Sequence, residues 1–228
     1  MFNDTHGIAG QARNDRILTL TADGSHTLFL PEMGEHYHSV NGAVQESKHV
    51  YIDAGLNQCT KNTIHVLEMG FGTGLNALLT ALEAEKRKIS VVYTALEKYP
   101  LSAEITEALN YSEINTRLFH QIHAVEWEKL TPVTPFFSLQ KINTDFKDYA
   151  YPSGQDVVYY DAFAPDKQAD VWSQALFDVL YAAMNPDGIL TTYCAKGMIR
   201  RMMQQSEFTV ERIPGPPGKR EMLRARKG

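Results

Sequence analysis

The chain reads as an α/β protein, a mostly parallel Rossmann-like sheet covered by helices on both faces. An antiparallel closing strand and a small N-terminal β extension complete it. Three observations predict this. From residue 63 onward, apolar runs of strand length alternate with amphipathic runs of helix length. A glycine-rich strand–turn–helix unit heads that series, Ile64-His-Val-Leu-Glu68-Met-Gly70-Phe-Gly72-Thr-Gly74-Leu-Asn76. The run Asp156-Val-Val-Tyr-Tyr-Asp161 is almost wholly apolar, as a central parallel strand should be.

In chain order, Ile17-Leu-Thr-Leu and His26-Thr-Leu-Phe-Leu predict a β-hairpin turning at Asp23-Gly24 and stopped by Pro31. Glu35-His-Tyr37-His-Ser39 follows, then a short segment to Asn57. Residues 1–58 thus form an extension beside the sheet, and residues 59–228 the Rossmann-like domain. After the glycine turn, Leu75–Lys86 is helical and Ser90–Glu97 is the second strand. Leu101–Asn110 is a helix. Residues 115–138 are weakly patterned, with Pro132 and Pro135 marking a loop. Phe137–Asp145 is the third strand and Asp156–Asp161 the fourth. Val171–Met184 is helical, Pro186-Asp-Gly188 turns, and Ile189–Ala195 is the fifth strand. Met198–Gln205 is a helix. Phe208–Ile213 and Glu221–Ala225 form a closing antiparallel pair around Pro214-Gly-Pro-Pro-Gly218-Lys-Arg220.

At 228 residues the chain is one domain with an extension. No apolar run approaches the roughly 18 residues of a membrane span. Met1-Phe-Asn-Asp-Thr-His lacks the basic-then-apolar pattern of a secretory leader, so a cytoplasmic protein is expected. Cys59 and Cys194 have no metal spacing and read as free buried thiols. His36, His38 and His49 lack a Cys or carboxylate to complete a metal set and read as exposed, with no metal expected. Net charge is −5, yet Lys196–Gly228 holds nine Lys or Arg against three Asp or Glu. A basic face on an acidic body follows.

The glycines let the backbone turn sharply and approach a ligand, and the helix start offers unpaired N–H groups to the same crevice. A dinucleotide fingerprint needs its third glycine at the sixth position, where Leu75 stands. Here glycines fall at the first, third and fifth, after an acidic Glu68. This resembles motif I of the class I S-adenosylmethionine methyltransferases. Ligands of such sheets sit beyond the carboxyl ends of the strands. The second strand ends in Glu97, 23 residues past Gly74, where two acceptor oxygens match the two hydroxyls of a ribose. The third ends in Asp145, placed for an adenine amino group. The fourth ends in Asp161, which could take the proton of an acceptor amine, and Phe163 could stack on a planar base.

Several stretches together resemble one family. They are Tyr37-His-Ser39, Glu68–Asn76, Leu96-Glu97-Lys98, Asp161-Ala-Phe-Ala-Pro-Asp-Lys167 with Trp172, Thr192–Gly197 with Arg200-Arg201, and Gly218-Lys-Arg-Glu-Met222. The family is the tRNA 5-methylaminomethyl-2-thiouridine methyltransferases, MnmD or the N-terminal half of bifunctional MnmC. Ala162 replaces the glycine common there, a small-for-small change. The resemblance implies S-adenosylmethionine as cofactor and the anticodon stem-loop of tRNA as partner. The reaction implied is N-methylation of the 5-aminomethyl group of the wobble (2-thio)uridine. With the readings above, it implies a cofactor site of Tyr37, Glu68, Gly70, Phe71, Gly72, Thr73, Gly74, Asn76, Glu97, Lys98 and Asp145. Asp161 is the implied catalytic residue. Phe163, Lys167, Lys196, Arg200, Arg201, Lys219 and Arg220 are the implied substrate contacts.

Two other readings share the fold. One is a small-molecule N- or O-methyltransferase, which needs no basic face. The other is an inactive binding module, against which Glu68, Glu97 and Asp161 all argue. No second glycine-rich unit follows, so no FAD-dependent activity is expected. A carboxymethylaminomethyl acceptor is expected to be refused, because its carboxylate would approach Asp161.

Overall fold

The computed structural model describes residues 16–228. The reading of the first residues, and the first part of the extension, lie outside them. β1 (Ile17–Leu20) and β2 (His26–Leu30) form the expected hairpin. Its turn is tied by Asp23, whose Oδ1 accepts from Thr21 Oγ1 at 2.8 Å and from the Ser25 N–H at 3.0 Å. β3 (Glu35–His36) adds a third antiparallel strand. His38 is buried rather than exposed, with its ring edge-on to Tyr111, and burial lowers its pKa to about 4. His36 and His49 are half-buried. Both cysteines are buried and free, as expected.

The segment before Asn57 is helical, which its sequence pattern did not predict. α1 (Ala43–Ser47) runs into a π-helical turn at Lys48–Asp53, and Leu56–Gln58 form a 3₁₀ turn. The helix is too short to display a periodic stripe, and the wide turn breaks the 3.6-residue period. Val50, Tyr51 and Ile52 are buried in the same core as the sheet.

β4 (Thr63–Met69) leads through the glycine turn into α2 (Leu75–Arg87), which ends in left-handed Lys88. β5 (Ser90–Leu96) follows, then α3 (Ala103–Ala108), shorter than expected. The expected loop at 115–138 is in fact α4 (Thr116–Ala124), the edge strand β6 (Thr131–Thr134) and a tight turn. The Asn115 side chain caps α4 by accepting from the Leu118 N–H, and Leu118, Phe119 and Ile122 make its buried face. Pro132 is tolerated in β6 because that strand lies at the edge of the sheet.

β7 (Phe137–Ile142) and β8 (Gln155–Tyr160) are the third and fourth strands of the main series. β8 is buried at every position, as its apolar sequence requires. α5 (Gln174–Ala183) is capped by Ser173. The expected turn at Pro186–Gly188 instead lies inside β9 (Met184–Thr192), where the register with β8 shifts and Asp187 takes a positive φ of 62°. α6 (Gly197–Gln205) and the antiparallel β10 (Thr209–Pro214) and β11 (Glu221–Arg226) close the chain.

The eight-stranded sheet has the order β10-β11-β9-β8-β4-β5-β7-β6, with β7, β5, β4, β8 and β9 parallel. Side chains alternate along each strand between two cores. Val66, Val157 and Tyr159 face α1, α2 and α4, whereas Leu67, Val158 and Tyr160 face α5 and α6. The chain leaves β4 toward β5 and β7, then returns to β8 on the other side. That reversal puts the glycine turn and Asp161 side by side at the switch point, where a crevice must open.

Candidate active site

The crevice holds a cavity of about 630 Å³. Its floor is the glycine turn. Gly70 and Phe71 donate their N–H groups to the Leu96 carbonyl at 3.0 Å each, which pins the turn to the end of β5. Gly70 has φ 101°, and a Cβ there would lie 2.8 Å from the Asp161 carbonyl oxygen. Gly72 has φ 49°, and a Cβ would press on the Tyr37 ring at 3.2 Å. Only glycine combines these dihedrals with such close packing.

Glu97 stands at the cavity wall, just past β5. One carboxyl oxygen accepts the Gly72 N–H at 3.0 Å and the other the Tyr99 N–H at 2.8 Å. Burial raises its pKa, and the backbone donors oppose the rise. Asp145 lies three residues beyond the end of β7, not in the strand, because β7 stops at Ile142. It still lines the cavity, ion-paired to Lys98 at 2.5 Å, and that partner lowers its pKa. Tyr37 directly follows β3; its hydroxyl accepts from Arg16 Nε at 3.0 Å, and its ring meets Phe163 edge-on at 5.1 Å.

Asp161 follows β8. Tyr51 donates to its Oδ1 at 2.6 Å and Asn76 Nδ2 to its Oδ2 at 2.8 Å. Burial pushes its pKa up to about 7, against the pull of the Tyr51 hydrogen bond. Phe163 is set by Trp172, whose indole N–H donates to the Phe163 carbonyl at 2.7 Å.

Glu68 sits elsewhere. Strand alternation turns its side chain under α2, wholly buried, where Oε1 accepts from Asn76 at 2.9 Å. Burial raises its pKa well above the usual carboxylate range. It does not line the cavity; Asn76 stands between. Gly74 caps α2 behind the cavity wall.

The basic residues divide. In the hairpin turn after β10, Lys219 points inward and Arg220 outward. Lys219 Nζ pairs with Glu46 at 2.7 Å and lies 4.0 Å from the centroid of the Tyr193 ring. Lys196 pairs with Asp166, and Lys167 is exposed near Gly34. Among the described residues, Arg200, Arg201 and Arg220 show no ion pair. Sequence reasoning missed Tyr51, Glu46 and Tyr193. The first two lie on α1 and its π-helical turn, which had no readable period.

The residues fit S-adenosylmethionine. Glu97, with both oxygens held by backbone N–H groups, and the close-packed Gly72 backbone both line the cavity. Thr73 Oγ1 and Asn76 Oδ1 are buried without a partner among the described residues, beside the N-terminus of α2.

Fold and site together define an S-adenosylmethionine-dependent methyltransferase with a class I sheet, and residues 137–228 match the family described in those terms, S-adenosyl-L-methionine-dependent methyltransferase. The chain is similar in sequence to MnmC proteins. The tRNA 5-methylaminomethyl-2-thiouridine biosynthesis bifunctional protein MnmC of Burkholderia multivorans is 29% identical over 235 residues, which cover 92% of this chain and 35% of that protein. MnmC of Cupriavidus necator is 28% identical over 211 residues, 85% of this chain and 32% of that one. This chain thus spans about a third of the length of the curated relatives it matches. The crystal structure of MNMC2 from Aquifex aeolicus superposes with a TM-score of 0.74 at 25% identity, over 92% of this chain and 70% of that one. Spermidine synthase from Thermotoga maritima shares the fold, with a TM-score of 0.53 at 13% identity over 90% and 69% of the two chains. No helix among the described residues is long and apolar enough to cross a membrane.

Proposed function

We propose that the chain methylates the 5-aminomethyl group of the wobble (2-thio)uridine of tRNA. The observation that carries this reading is Asp161, a carboxyl on the cavity wall with both oxygens held and a pKa near 7. That value suits a group which must receive a proton from an amine near neutral pH. Names of the relatives, with the basic residues near the crevice, direct the reading to tRNA.

Glu97 would take the ribose hydroxyls, Asp145 the adenine amino group, and Thr73 and Asn76 the amino-acid end of S-adenosylmethionine. When bound, that cofactor supplies a methyl group on a sulfonium, open to attack by a nitrogen lone pair. Asp161 holds an N–H of the acceptor, so the lone pair faces away from the carboxylate, and keeps the proton that is released. Tyr51 and Asn76 fix the orientation of that carboxyl. Phe163 and Tyr37 form an aromatic wall for the uracil ring. Lys196 caps α6, which follows the carboxyl end of β9, and Arg200 lies in the first turns of that helix; with Arg201 and Arg220 they would hold phosphates.

Mass spectrometry of wobble nucleosides tests the reading, after incubation of undermodified tRNA with the protein and S-adenosylmethionine. A mass gain of one methyl on 5-aminomethyluridine supports it; an unchanged nucleoside pool refutes it. A carboxymethylaminomethyl acceptor should be refused, because it is bulkier and its carboxylate would approach Asp161, while Lys219 is paired with Glu46.

Two further outcomes are expected. Glu97→Ala should weaken S-adenosylmethionine binding by roughly 1.5–3 kcal/mol, the scale of hydrogen bonds to a charged group. Calorimetry reads this directly, and parental affinity would remove Glu97 from the cofactor site. Replacing Arg200, Arg201 and Arg220 with Gln should weaken tRNA binding and flatten its dependence on log salt by about one unit per lost phosphate contact. An unchanged slope would put the tRNA surface elsewhere.

A further inference from the structure

We propose that Lys219, seated on Glu46, sets the charge of the acceptor end of the cavity by cancelling one of its two carboxylates, so that an incoming primary amine meets a single proton acceptor. The inference rests on amine methylation as proposed above and assigns its positioning residue.

The geometry is specific. Glu46 comes from α1, with its side chain 8% exposed. One of its oxygens takes Lys219 Nζ at 2.7 Å and the other the Ser39 N–H at 2.6 Å. Tyr193 lies under the ammonium, and its hydroxyl donates at 2.7 Å to the carbonyl of Ala162, the neighbour of Asp161. Glu46, Asp161, Tyr193 and Lys219 all line the one cavity. Lys219 therefore already holds the place that a guest ammonium would prefer, between a carboxylate and an aromatic face.

Three other titratable groups near this end are uncharged near neutral pH. Burial lowers the His38 pKa to about 4, and burial raises those of Tyr193 and Cys194. Glu35, on β3, also lines the cavity, with no hydrogen bond to Asp161, Glu46 or Lys219 among the described residues. The charges that count are Asp161, Glu46 and Lys219. Without Lys219, two carboxylates would face the amine. They would hold it as an ammonium, whose nitrogen has no lone pair to give. The acceptor would then bind well and react slowly, a ground state stabilised at the expense of turnover.

The test compares the parent chain with Lys219→Met, Lys219→Arg and the double variant Glu46→Gln/Lys219→Met. Methylation of tRNA carrying 5-aminomethyluridine is followed across pH. Lys219→Met is expected to lower kcat about tenfold at neutral pH without raising KM, and to move the acid limb up by about one unit. Lys219→Arg should bring the limb back. So should the double variant, which removes both charges together. Independently, ¹³C-carboxyl NMR titrates Asp161 in the cofactor-free protein. Its midpoint should rise in Lys219→Met and return in the double variant. A Lys219→Met protein with raised KM but parental kcat and limb would make Lys219 a substrate contact only. A double variant no better than the single one, or one Asp161 midpoint throughout, would overturn the cancellation. If the parent leaves the tRNA unmethylated at every pH, the functional reading fails, and the titration alone then judges whether Lys219 cancels Glu46.

Discussion

Asp161→Ala is expected to bind S-adenosylmethionine as the parent does and to lose a factor of roughly 10²–10⁴ in turnover, the range of positioned proton transfer. The carboxyl hangs between Tyr51 at 2.6 Å and Asn76 at 2.8 Å, so it has one orientation to offer. Burial pushes its pKa to about 7, and the active form is the carboxylate. Parent activity should therefore rise with pH through about 7 and level off above it. The sign for stability is opposite. A carboxyl whose folded pKa exceeds its unfolded one makes the fold lose stability as pH rises from the unfolded pKa to about 7. Kinetics of tRNA methylation over pH, with calorimetry for the cofactor, separate these effects. An Asp161→Ala protein with parental turnover would mean that the amine loses its proton to water.

Gly72→Val should abolish S-adenosylmethionine binding while leaving a folded chain. Two costs meet at this residue. Its φ of 49° is a left-handed value that a β-branched side chain adopts poorly. Its Cβ would already sit 3.2 Å from the Tyr37 ring, so the two added methyls must displace that ring or enter the cavity. The same movement would pull the Gly72 N–H from Glu97, now 3.0 Å away, and free the carboxylate proposed for the ribose. The strands and helices lie outside the turn, so far-ultraviolet circular dichroism should match the parent. Titration calorimetry that finds parental affinity would refute the reading of the turn as a cofactor floor.

The sequence by itself determined the parallel core of this protein and the residues at its carboxyl ends. Local patterns suffice there. Short apolar runs rich in Val and Tyr and bounded by turn residues fit buried strands, and a Gly-x-Gly-x-Gly after a strand fits a tight turn. Alternation then delivers Glu97 and Asp161 to one edge. α4 escaped because it is only nine residues long and is followed by two prolines, although Asn115 marks its start and Leu118, Phe119 and Ile122 share one face. The turn at Pro186–Gly188 was legible as a distortion, but not as one inside a continuous strand, since only pairing with β8 shows where the register shifts. Tertiary structure alone decided what surrounds Asp161. Tyr51 reaches it from 110 positions earlier, and Lys219 meets Glu46 across 173 positions. Tertiary structure also turned Lys219 from the expected phosphate surface into the cavity and hid Glu68 beneath α2. Backbone alternation and local propensity act over a few residues and are written in the sequence. Contacts between distant segments depend on how the two cores close over the sheet, which only the folded chain specifies.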